Sequence, residues 1–98
     1  SGGLMLVEIV CSRIADVRSA QAAGAHRIEL VAGMEVGGTT PSIGTVHRAI
    51  QIGLPVVVML RPRGGGFRYD FEDLEAMRED ILAMRELPIA GFITGVLK

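Results

Sequence analysis

Three apolar runs of this 98-residue chain each carry a charged residue: Leu6-Val7-Glu8-Ile9-Val10, Arg27-Ile28-Glu29-Leu30-Val31 and Val56-Val57-Val58-Met59-Leu60-Arg61. A carboxylate or guanidinium in such a run is expensive unless it is paired or lines a polar site. Glu8 and Glu29 are therefore candidates for general acid and base. Arg27, Arg61 and Arg63 are candidates for holding a small anion, since a guanidinium grips phosphate or carboxylate bidentately. Gly64-Gly65-Gly66, beside the last two arginines, offers backbone N–H groups to the same anion. The competing reading is a loop that merely turns the chain, its arginines solvated or paired to Glu29.

Other chemistry finds less support. Gly37 to Ser42 leads into a helix start with Thr39 and Thr40 available, but it lacks the Lys-Ser/Thr ending of a phosphate-binding loop. No GxGxxG follows any strand, so nucleotide binding is not expected. Cys11 is the only cysteine and cannot make a thiolate cage by itself; it stands as the lone candidate metal ligand. His26 and His47 have no second ligand at helical spacing, and Met59, Met77 and Met84 fall at core spacing.

Formal net charge is −1, which gives no long-range attraction to nucleic acid or an anionic membrane. A single cysteine fits a reducing, cytoplasmic setting, and no apolar stretch reaches membrane-spanning length. Ser1-Gly2-Gly3 reads as an expression-tag remnant ahead of one domain over residues 4–98.

The elements that position these residues alternate. Strands are predicted over Leu6–Val10, Arg27–Val31, Val56–Arg61 and Ala90–Leu97, because continuous aliphatic runs between helical patterns mark a parallel sheet covered by helices. Ser12, Ser42 and Asp70 are the expected helix caps. Ile14, Val17 and Ala20 form one helical stripe, Ile43, Val46 and Ile50 a second, and Leu74, Met77, Ile81 and Met84 a third. Placing the all-aliphatic strand faces against the helices leaves Glu8, Arg27, Glu29 and Arg61 on one inner side. Two acids then balance two bases, either as a site or as a structural ion-pair layer.

Several stretches carry a resemblance. They are Gly24-Ala25-His26-Arg27-Ile28-Glu29-Leu30, Glu35-Val36-Gly37-Gly38-Thr39-Thr40-Pro41-Ser42, Met59-Leu60-Arg61-Pro62-Arg63-Gly64-Gly65 and Gly91-Phe92-Ile93-Thr94-Gly95-Val96-Leu97, together with the first strand. In that order they resemble the N-terminal part of the CutC family, the copper homeostasis proteins. The resemblance implies half of a (β/α)8 barrel, copper as a possible cargo, and Glu8, Arg27, Glu29, Arg61 and Arg63 at the family's polar cavity positions. The cysteines proposed to bind copper in some members fall at Val10 and Val31 here, with Cys11 one place from the first.

A half-barrel exposes two sheet edges and the wall meant for the interior, which invites pairing. The expectation is a homo-oligomer, most simply two chains closing one barrel. An open flavodoxin-like sheet and a swapped oligomer are the structural alternatives. A barrel enzyme for a small anionic substrate and a fragment without activity are the functional ones.

Overall fold

Side chains alternate across a strand, so each apolar run must present one face to helices and the other elsewhere. The computed structural model, which describes residues 5–94, has this arrangement. Strands β1 (Glu8–Cys11), β2 (Arg27–Leu30), β3 (Val56–Met59) and β4 (Gly91–Ile93) form one parallel sheet in the order β1-β2-β3-β4. Helices α1 (Ile14–Ala22), α2 (Ile43–Ile50) and α3 (Phe71–Met84) make the crossovers, and a short 3-10 turn, Met34–Val36, interrupts the loop before α2. Each strand lies beside its sequence neighbour. An open flavodoxin-like sheet reverses its strand order partway, so that alternative is excluded.

The helix-facing side of the sheet supplies the core. Cys11, Ile28, Leu30, Val56 and Val58 pack against Val17 and Ala20 of α1, Val46 and Ala49 of α2, and Met84 of α3. At roughly 1.5–3 kcal/mol per fully buried aliphatic side chain, this layer is the main source of stability. The third stripe is only partly used: Met84 is buried, Met77 and Ile81 are half-buried, and Leu74 is exposed.

Two caps form as expected: Ser42 Oγ accepts from the Thr45 N–H at 3.2 Å, and Asp70 Oδ1 from the Asp73 N–H at 2.7 Å. The first differs. Arg13, not Ser12, is the residue before α1, and Asp16 reaches back to accept from both the Ser12 and Arg13 N–H groups. A carboxylate three residues into the helix reaches those donors more readily than the Ser12 hydroxyl does. β1 also begins two residues later than the apolar run suggested, and β3 ends at Met59 rather than Arg61. The assigned tag remnant and the part of the fourth run beyond Thr94 lie outside the described residues.

Candidate functional site

Parallel register fixes which side chains stand together on the inner wall. Glu8 pairs with Arg27, and Val10, Glu29, Val57 and Gly91 form the next row. Glu8 Oε2 lies 2.7 Å from Arg27 Nε, an ion pair that remains open to solvent. Glu29 has no cation in contact among the described residues. Partial burial pushes its carboxyl above the ordinary value, and the nearby Glu8 charge adds to the shift. The wall thus carries one ion pair and, among the described residues, one carboxyl without a cation partner.

Arg61 does not join that layer. Its side chain sits beyond the end of β3 and is 5% exposed. Nη1 donates to the carbonyls of Val36 and Gly38, Nη2 donates to the Gly65 carbonyl at 2.7 Å, and the guanidinium carbon stands 4.8 Å from the Phe67 ring centre. Its backbone is tied as well: the Arg61 N–H donates to Thr40 Oγ1 at 2.9 Å, and the Thr40 N–H donates to the Arg61 carbonyl at 2.9 Å. One residue therefore knits the loop after β2 to the loop after β3. The balance of two acids by two arginines reduces to Glu8 with Arg27, because Arg61 is too far along the strand to meet Glu29.

Arg63 is fully engaged nearby. Nε and Nη2 reach the Asp73 carboxylate at 3.0 and 2.9 Å, Nη1 donates to the carbonyls of Gly64 and Gly66, and Nη2 donates to that of Arg68. Arg63 also stacks on Tyr69 at 5.6 Å. The glycine loop turns its carbonyls, rather than its N–H groups, toward both arginines. An anion at Arg63 would have to displace acceptors already in place. Arg61 keeps a free donor: Nε is buried without an acceptor, and so is the Tyr69 hydroxyl in the same segment.

Gly38 and Gly64 allow this packing. Gly38 is buried with φ +98°, a region few side chains adopt, and a Cβ on Gly64 would lie 2.8 Å from Val36 Cβ. Cys11, by contrast, is a core residue. It faces the helices at 1% exposure, and burial, with the Asp16 charge, pushes its thiol above the ordinary range. Among the described residues, no three His, Cys, Asp or Glu side chains stand close enough to share a metal ion.

Sequence reasoning overlooked the aromatics. Phe67 and Tyr69, each six residues beyond its arginine, had a visible signal in that matched spacing. It also missed His26, whose Nδ1 accepts from the Val7 N–H at 2.9 Å and ties down the start of β1.

A parallel sheet in sequential order, helices on one face and loops tied together at the carboxyl ends define half of a (β/α) barrel. Comparison with known proteins narrows the class to one family. The CutC family model matches residues 5–98, and the chain belongs to that family. It is 45% identical over 95 residues to a CutC family protein of Mesorhizobium japonicum, covering 96% of this chain and 37% of that protein. A relative from Photorhabdus laumondii is 45% identical over 92 residues, again covering 37% of its length. A solved structure from Streptococcus agalactiae, described as a candidate copper homeostasis protein CutC, overlays with TM-score 0.88 and 38% identity over 97% of this chain and 47% of that one. The chain therefore spans less than half the length of these relatives.

Proposed function

We propose that this chain serves copper homeostasis, the role carried by the description of its Streptococcus agalactiae relative, as one half of a barrel that holds a small oxyanion at the carboxyl ends of its strands. The observation that carries the ligand class is Arg61: a buried guanidinium with no carboxylate in contact among the described residues and with Nε lacking an acceptor. A buried cation faced by neutral carbonyls and the Phe67 ring lacks a counter-charge, and an oxyanion at Nε supplies both charge and acceptor. The unsatisfied Tyr69 hydroxyl is a second donor in the same loop segment.

Direct copper binding at Cys11 draws no support from this geometry, because the thiol would have to leave the core, and the described residues bring no set of metal ligands together. Calorimetric titration with inorganic phosphate tests the oxyanion reading. Saturable binding that weakens about tenfold in Tyr69→Phe, and is lost in Arg61→Lys, is the expected result. No binding, or equal affinity in wild type and Tyr69→Phe, overturns it. A copper titration alongside separates the metal reading: saturable binding abolished by Cys11→Ser would replace the oxyanion proposal.

A further inference from the structure

Acceptors ring Arg61. Nη1 donates to the Val36 and Gly38 carbonyls and Nη2 to the Gly65 carbonyl, and each of these oxygens keeps a second lone pair. The planar fork holds its donors side by side, so a group bonded to Nε stands next to those oxygens. The triglycine run divides its carbonyls between two cations: Gly65 faces Arg61, while Gly64 and Gly66 face Arg63. Arg63 brings no net charge to the loop, because the Asp73 carboxylate lies 2.9 Å from its Nη2. Arg27 is likewise balanced by Glu8. Arg68, on the same loop, is exposed, and water screens its charge. At Arg61 the described residues therefore offer a ligand one uncompensated positive charge, an open donor at Nε and three carbonyl oxygens beside it.

We infer that the oxyanion taken up at Arg61 is a monoanion, a carboxylate or a singly ionised phosphate, and that dianions are rejected. The inference rests on the oxyanion reading above and narrows it. A monoanion cancels the single guanidinium charge. A dianion leaves a net negative charge buried beside three carbonyl oxygens, a desolvation cost that no second cation among the described residues offsets. The carbonyls add a further selection. Two acceptor oxygens pressed together repel, but a protonated phosphate can turn its O–H toward a carbonyl and donate. Sulfate has the same shape as phosphate, with two charges and no proton to give. The ring of acceptors thus discriminates by protonation rather than by size.

Calorimetric titrations of the 98-residue chain with acetate, phosphate and sulfate test this, run about one pH unit below and above the second ionisation of phosphate, which falls near neutrality. The Arg61 Nε–H resonance, followed by NMR, locates each ligand. Glu29, Glu35, Arg63, Arg68, Tyr69 and Asp73 are the charged and titratable groups of the elements around Arg61. Acetate stays a monoanion throughout and reports any change in them. Phosphate affinity relative to acetate should fall about tenfold between the two pH values, following its monoanion fraction. Sulfate should bind at least about tenfold more weakly than acetate at both. If acetate does not bind and phosphate affinity falls by that factor, the site is assigned to singly ionised phosphate. Sulfate binding as tightly as phosphate, or phosphate affinity that holds or rises with pH, overturns the monoanion inference and leaves the oxyanion reading standing. No binding of any of the three, or binding that leaves the Arg61 Nε–H resonance unmoved, overturns the oxyanion reading and this inference with it.

Discussion

Glu8 and Arg27 stand opposite each other in the register of β1 and β2 with 2.7 Å between Oε2 and Nε, whereas Glu29, in the next inner row, has Val10 and Val57 as its lateral neighbours. The two glutamates therefore do different work. Glu8 pairs with a guanidinium, while Glu29 sits in an apolar row where partial burial raises its proton affinity.

Replacing Glu29 with Gln should stabilise the chain at neutral pH. The folded state raises the Glu29 proton affinity above that of the unfolded chain. Stability from the protonated form is then complete below the unfolded value and is lost as pH rises through the folded one. Glu29→Gln removes that loss, so its urea midpoint should exceed wild type at neutral pH and converge with it in acid. Urea titrations at both pH values check the sign; a variant less stable than wild type at neutral pH contradicts it.

Arg61→Met should lower stability by about 3 kcal/mol, because three carbonyls lose a charged donor and two loops lose their tie. Arg61→Lys should recover little, since a single ammonium cannot span the carbonyls of Val36, Gly38 and Gly65 as the planar fork does. Hydrogen exchange should accelerate in both loops, including the Thr40 N–H, while amides of β1 keep their protection.

Much of this frame was legible before any coordinates. The helix-facing and inner sets of β1 to β3 follow from alternation alone, so Glu8, Arg27 and Glu29 were placed together by parity even though β1 begins later than its apolar run. Ser42 and Asp70 carried their caps in their residue types. Arg61 was harder. Parity gives its side of the sheet but not its height, and height decides whether it meets a carboxylate or a ring of carbonyls. The 3-10 turn that brings Val36 beneath Arg61 has no periodic signature, and a glycine run does not reveal which way its carbonyls point.

Asp73 sets a second pH dependence of opposite sign. Hydrogen bonding from Arg63 lowers its proton affinity, helped by the Asp70 N–H, so its contribution is present above the unfolded value and fades as pH falls through the folded one. Arg63→Met should return the Asp73 carboxyl toward the ordinary range, which a carbon-detected NMR titration reads directly. Asp70 should keep its own bond to the Asp73 N–H in that variant, so α3 should still begin at Phe71.

Gly64 and Val36 form a coupled pair across the same two loops. A methyl at Gly64 would lie 2.8 Å from Val36 Cβ and about as close to both its γ carbons, and a branched side chain on a short 3-10 turn has little room to swing away. Gly64→Ala should therefore cost about 1–3 kcal/mol as an overpacking substitution. Because the Val36 carbonyl is itself an acceptor for Arg61, any retreat of that turn also strains the guanidinium bond. Val36→Ala, exposed in the chain as it stands, should be nearly neutral alone and should relieve only part of the cost in the double variant, since it removes the γ carbons at 3.0 and 3.1 Å but keeps the Cβ at 2.8 Å. Urea midpoints for the four members of that cycle measure the coupling; additive losses would mean that the two loops do not press on each other through this contact.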